Sequence, residues 1–238
     1  MRKGMLVKVI GLALCVAVVS YALFGLDSNR NKLDYFEHLE DTAVTVDSEN
    51  ITFADLGFYI LYEEQKVEEQ ARIYNPDSPK DYWNMHTNDT FIQREAKDAV
   101  MGMVIHDHLF YTLAVEEGLD TLTDSEEQDL QFAITDFWED LYDAQWEHLP
   151  CDEDTINEQI RIAAVAEKYQ TKLAQEKGPS FAAYNYDGYY YEQMLNEHTV
   201  TINNKLWKRF VLGDITLEHS SLNYINGLTN EDKKKKEK

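Results

Sequence analysis

VTVDSENITFADLGFYILY, residues Val44–Tyr62, carries three local signals in a row. Ala43-Val44-Thr45-Val46 alternates as a strand does, and Asp47-Ser48-Glu49-Asn50 has the composition of a turn. Thr52-Phe53-Ala54-Asp55 places an acidic residue three positions after a hydroxyl, which reads as a helix start. Phe53, Leu56, Ile60, Val67 and Ala71 then recur at helical spacing, so a helix with one buried face is expected to about Tyr74.

Further helices are expected downstream. Asn75–Asp89 is a loop with two prolines, and Thr90 opens a helix that Gly118 ends, its stripe being Ala99, Met103, His106, Phe110 and Leu113 or Ala114. Thr123-Asp124-Ser125-Glu126 is a capping box, with Leu130, Ile134, Phe137, Leu141 and Ala144 on the stripe that follows. Trp138, Tyr142 and Trp146, four residues apart, form an aromatic row on its flank. Asp152 or Asp154 begins a fourth helix through Ile156, Ile160, Ala163, Ala164, Tyr169 and Leu173, ended by Gly178-Pro179. Phe181–Glu197 is aromatic-rich and expected to be helical with a break near Gly188. Thr199–Ile202 alternates as a second strand, Asn203–Phe210 is a short helix or turn, and Ile215–Leu217 reads as a third strand. The expected fold is therefore mainly α. Strands Val44–Val46 and Val200–Ile202 should pair and join the two ends of the domain.

Before this body lies Val9–Leu26, eighteen residues without charge, preceded by Arg2, Lys3 and Lys8. As a helix it would be about 27 Å long, close to the hydrocarbon thickness of a bilayer. The basic flank places the rest of the chain outside the cytoplasm. A transmembrane signal-anchor is the expectation. The alternative is a signal peptide cleaved near Ser20-Tyr21-Ala22, giving a secreted protein. The expected organisation is anchor 1–26, polar linker 27–43, folded domain 44–229 and a disordered lysine-rich tail 230–238.

The chain has 22 Lys+Arg against 44 Asp+Glu. The part beyond the anchor carries about −25, which repels nucleic acid and anionic headgroups and favours basic or apolar partners. Cys151 is the one cysteine there, so no intramolecular disulfide is available.

No hydrolase, nucleotide-binding or helical zinc motif is present. His106 and His108 are two residues apart on one helix and point in different directions, so a shared metal is not expected. His106 reads as a core-edge histidine and His108 as a solvated one. Asn50-Ile51-Thr52 and Asn88-Asp89-Thr90 match glycosylation sequons but coincide with expected caps. No catalytic, cofactor or metal residue is assigned. Trp138, Tyr142 and Trp146, with Tyr189 and Tyr190, are the candidate polypeptide-binding residues. Packing of that row against a neighbouring helix is the plainer alternative.

Val44–Tyr62 resembles the opening of the SurA/PrsA-like extracytoplasmic chaperone family, a strand, a turn and a long helix. Glu116–Leu119 followed by Leu122–Glu127 is similar to its second helix end and third helix start, and Tyr190-Tyr191 with Val200–Trp207 to its closing segment. The resemblance covers roughly 44–217 and implies a SurA N-terminal-like chaperone domain. In secreted members a parvulin prolyl isomerase domain sits between the fourth helix and the closing segment. Here only Lys177-Gly178-Pro179-Ser180 lies there, so the resemblance implies the chaperone part without the enzyme and transfers no catalytic residue. Its implied partners are unfolded or exported polypeptides, held without cofactor. An adaptor subunit of a cell-envelope complex is the alternative, with a degenerate prolyl isomerase third.

Overall fold

The computed structural model describes residues 32–87, 90–217 and 219. The expected anchor Val9–Leu26 and the lysine tail lie outside them. Among the described residues no helix is long and apolar enough to cross a membrane.

The fold is mainly helical. Strand β1 (Thr42–Val46) and β2 (Glu49–Thr52) form a hairpin, and a 3-10 turn (Ala54–Leu56) leads into α1 (Gly57–Tyr74). Short α2 (Lys80–Trp83) and the two-residue pair β3 (His86–Thr87) and β4 (Thr90–Phe91) precede α3 (Ile92–Glu116). Then come α4 (Asp124–Glu139), α5 (Asp143–Glu147) and α6 (Glu153–Lys177). A 3-10 turn (Phe181–Tyr184), α7 (Tyr189–Leu195), β5 (Val200–Ile202) and α8 (Asn204–Trp207) complete the order. Helices α3 and α6 pack along each other as the central pair, α1 lies against both, and α4 rests on α6.

Local chemistry sets the helix ends. Thr123 accepts from Glu126 N–H while Glu126 returns a bond to Thr123 N–H, the expected capping box. Asp152 caps α6 through Thr155 N–H at 2.9 Å. Gly118 and Gly178 stand at φ +72° and +90°, left-handed positions that end α3 and α6 at low steric cost. After α3, Leu119 N–H reaches Ala114 O and Gly118 N–H reaches Val115 O, which satisfies carbonyls the helix leaves open.

The sheet order is β2-β1-β5, all antiparallel. Val44 pairs with Ile202, Thr45 with Thr201 and Val46 with Val200, so the two ends of the domain are joined as expected. The folded body also takes in residues before Val44: Leu33 and Tyr35 are buried, and Tyr35 Oη donates to Phe53 O at 2.6 Å.

Four expectations need correction. Glu49-Asn50 belongs to β2, not to a turn; the turn is Asp47-Ser48 alone, with Asp47 at φ 50°. An aspartate tolerates that conformation, and its carboxylate accepts from Thr199 N–H at 2.8 Å. Ile215–Leu217 is a bend rather than a strand, because the backbone N–H groups of Gly213, Ile215 and Thr216 all point at the buried carboxylate of Glu64. The third helix stops at Glu139. The chain bends through Asp140-Leu141 and restarts at α5, where fully buried Gln145 donates to Leu61 O at 3.0 Å. On α3 the expected His106, Phe110 and Ala114 are buried, but in the first half of the helix Ala96, Val100 and Val104 are buried in place of Ala99 and Met103, which are only half-buried.

The core joins this sheet to α1, α3 and α6. A smaller cluster of Leu61, Leu130, Leu141, Ile156 and Ile160 seats α4 and α5. Fully burying each such side chain contributes roughly 1.5–3 kcal/mol. Trp83 is wholly buried within the expected Asn75–Asp89 loop, with Nε1 donating to Glu68 at 3.1 Å.

Candidate functional site

Helix α1 has a second face beside its buried stripe. Phe58 and Tyr62, one turn apart, lie on it with ring centroids 6.2 Å apart. Phe58 meets Phe137 of α4 edge-on at 5.2 Å, and Phe137 meets Trp138 at 5.5 Å. Trp138 then meets Trp146 of α5 at 4.9 Å. Five rings thus form one strip across α1, α4 and α5. Tyr62 and Trp146 at its two ends are each 44% exposed, so the strip reaches solvent at both. Trp138 is fixed by its Nε1–H bond to Asn157 Oδ1 at 2.8 Å.

Beside the Phe58–Tyr62 end lies a 230 Å³ depression lined also by Tyr59, Met103, Asp107 and Tyr186. Tyr186 lies flat on α3 because Gly102 leaves room; a Cβ there would stand 2.7 Å from the ring. The floor is polar. His106 Nδ1 is 2.6 Å from Asp107 Oδ1, its Nε2 is 2.9 Å from Tyr184 O, and Tyr59 Oη donates to Asp107 Oδ2 at 3.1 Å. Burial, then the Asp107 charge, holds the Tyr59 phenol protonated, well above its ordinary range. Both nitrogens of His106 are thus engaged by partners within the protein. Among the described residues no Ser, Thr, Cys or Lys lines the depression. What it offers a ligand is apolar surface.

The sequence that supplies much of the strip is acidic, and Lys66, paired with Glu63, is a cation beside the Tyr62 and Tyr186 rings. From Asp98 to Ile160 the chain has 18 Asp and Glu and neither Lys nor Arg, and this span supplies Met103, Phe137, Trp138 and Trp146. Among the described residues no group of three His, Cys, Asp or Glu side chains is placed to hold a metal ion.

The expected site residues separate. Trp138 and Trp146 join the strip, but across a helix break rather than along one helix. Tyr142 leaves it: as the residue before α5 it turns toward α1, where the Arg72 guanidinium lies 4.3 Å from its ring centre. Tyr189 and Tyr190 stack edge-on at 5.4 Å on α7 and are 64% and 41% exposed, with Tyr190 reaching Tyr184 rather than the strip. Tyr191 instead enters the core against His106 and Phe110. The sequence expectation left out Phe58, Tyr62 and Tyr186. The i, i+4 aromatic pair at 58 and 62, off the stripe of its own helix, was the available signal.

His108 is buried, not solvated. Its Nδ1 lies 2.7 Å from Glu49 Oε1 and its Nε2 2.9 Å from Gln159 Oε1. Cys151 is half-buried, and burial, then Asp152 and Asp55, pushes its thiol up to about 12.

No protein-family profile matches the chain, and searches of curated proteins and of solved structures returned no match either.

Proposed function

We propose that this is a membrane-anchored, extracytoplasmic chaperone-like protein that holds unfolded or exported polypeptide segments without catalysis. The observation that carries the reading is the aromatic strip Tyr62-Phe58-Phe137-Trp138-Trp146, open to solvent at both ends, with its α4 and α5 rings drawn from a stretch of sequence that has no Lys or Arg. Rigid aromatic side chains bind apolar segments at small entropic cost, and the surrounding carboxylates favour basic clients and keep the protein soluble. The resemblance to SurA/PrsA-like chaperones and the apolar segment Val9–Leu26 support the same reading.

The test is suppression of aggregation of a denatured reporter by Asp27–Lys238, beside Trp138→Ala/Trp146→Ala. Suppression lost in the double variant, with its helical circular dichroism unchanged, is the expected result. Suppression retained moves the site to Tyr189 and Tyr190. No suppression at any ratio rejects the chaperone reading in favour of an adaptor with one fixed envelope partner.

A further inference from the structure

One cavity has the opposite electrostatics from the rest of the molecule. It is a 440 Å³ pocket between the start of α3 and the segment Asn204–Leu212. Arg94, Lys97 and Lys208 line it against one carboxylate, Asp98, in a chain with twice as many acids as bases. Its apolar wall is Trp207 stacked on Phe210, ring centres 4.7 Å apart and 14° from parallel.

Lys97 is the centre of the pocket. Its ammonium donates to Phe210 O at 3.0 Å and also to Trp207 O, and lies 4.8 Å above the Trp207 ring. Two of its three donors are thus used on neutral carbonyls. No ion pair to Lys97 is present among the described residues. Burial, with Arg94 adding to it against the pull of Asp98, lowers its pKa to about 8. A partly buried cation whose hydrogen bonds go to neutral carbonyls gains from an incoming anion. The pocket also opens at the start of the 25-residue helix α3, whose aligned peptide dipoles favour negative charge there.

We infer that this pocket is a phosphate-binding site, in which Lys97, Arg94 and Lys208 hold the anionic oxygens and Trp207 and Phe210 hold the apolar body that carries them. The phosphate can come from a phospholipid headgroup or from a soluble phosphate compound. The position of the pocket favours the lipid, and this part alone rests on reading Val9–Leu26 as an anchor. Leu33 N–H bonds Arg209 O at 2.9 Å, so the chain enters the folded body beside the pocket. Six residue steps separate Leu26 from Lys32. They span at most about 20 Å, which keeps the pocket near the headgroups. The acidic domain as a whole repels such a surface, and this face is its exception.

The test reads Lys97 itself. The full chain is reconstituted in phosphatidylcholine vesicles and in mixed phosphatidylcholine/phosphatidylglycerol vesicles. Its lysines are acylated near the pH at which Lys97 is half ionised, about 8, and quantified by peptide mass spectrometry. The expected result is about threefold slower labelling of Lys97 with phosphatidylglycerol, the effect of roughly 1 kcal/mol of headgroup attraction on a half-ionised amine, with Lys177 unchanged. Arg94→Gln/Lys208→Gln should remove the protection while circular dichroism stays the same. A third arm adds inorganic phosphate to the phosphatidylcholine vesicles at constant ionic strength. Protection there but not with phosphatidylglycerol supports the site and assigns it a soluble phosphate. Protection in neither arm, or equal protection at Lys177, overturns the inference. Flotation of the vesicles reports separately whether the anchor holds.

Discussion

His108 Nδ1 lies 2.7 Å from Glu49 Oε1, a contact between the middle of α3 and the hairpin, 59 positions apart in the chain. Thr112 Oγ1 donates to the other Glu49 oxygen at 3.0 Å. On the far side of the ring, Gln159 accepts at 2.9 Å and passes its own N–H to Asp55 at 3.2 Å. Asp55 in turn accepts from Thr52 N–H at 2.8 Å. With Asp55 fixing the amide of Gln159, both nitrogens of His108 face acceptors, an arrangement that favours the charged ring. One polar chain therefore ties β2, the approach to α1, α3 and α6 together.

Stability should depend on pH through this chain from both sides. Burial alone would lower the His108 pKa, but the Glu49 hydrogen bond and charge outweigh it and raise the value. The same contact lowers Glu49 despite its own burial. A raised histidine stabilises fully below its unfolded value and loses that contribution as pH rises through its folded value. A depressed carboxylate stabilises above its unfolded value and loses it as pH falls through its folded one. Thermal denaturation across pH should give a maximum between those limits. His108→Leu should cost about 3 kcal/mol at neutral pH and flatten the alkaline limb. An unchanged alkaline limb in that variant would rule out this origin.

Gly57→Ala should destabilise the protein although alanine is the better helix former. A Cβ at this position would stand 2.4 Å from Cys151 Sγ and 3.4 Å from Pro150 Cγ. Overpacking of this kind costs about 1–3 kcal/mol. Cys151→Ala removes the nearest atom, so the double variant should recover most of the loss. Urea denaturation of the four proteins in the cycle measures the coupling; additive effects would contradict the geometry.

Tyr142→Ala and Trp146→Ala should separate packing from binding. Tyr142 carries the Arg72 contact and a half-buried ring, so its loss should lower stability by about 1–2 kcal/mol and leave reporter binding intact. Trp146 is 44% exposed at the end of the strip, so its loss should weaken binding with stability within about 0.5 kcal/mol of wild type. The opposite pattern would move the site to the Tyr142 side.

Cys151 should resist alkylation in the native protein. With its thiol at about 12, little thiolate exists at neutral pH. Peptide-level mass spectrometry should show labelling of Cys151 only once denaturant unfolds the domain. Rapid native labelling would show that the loop Leu149–Cys151 opens on its own.

The features legible in the sequence are those written by neighbours. Thr123 with Glu126, Asp152 with Thr155, and the glycines at 118 and 178 each act within a few residues, and each helix end stands where they put it. The pairing of Val44–Val46 with Val200–Ile202 was legible because both runs alternate and lie at the two ends of the helical body. Features decided across the fold were not. Nothing local marks the break at Asp140-Leu141, since no glycine or proline stands there and the apolar spacing continues through it; the buried bond from Gln145 to Leu61 holds it. Ile215–Leu217 alternates like a strand, but Glu64, about 150 positions earlier, takes its N–H groups. His108 looked solvated because its partners are 59 and 51 positions away. The strip was half legible: Trp138 and Trp146 stood out by spacing, whereas Phe58 joins them only when α1 meets α4.

β1 is the middle strand of its sheet, and one of its two neighbours is nearly the last regular element among the described residues. In a chain made from its N-terminus, the hairpin is complete long before residues 200–202 exist. Until then β1 presents an open row of backbone donors and acceptors, a template for mispairing with other chains. Bringing Val200 to Val46 also closes a very long loop, at a chain-entropy cost of about 4 kcal/mol unless the helices have already shortened it. The sheet therefore sets the timing of maturation. Its last strand acts as a latch that closes only once the helical body has assembled, and a truncation before Val200 should yield a sticky intermediate rather than a smaller domain.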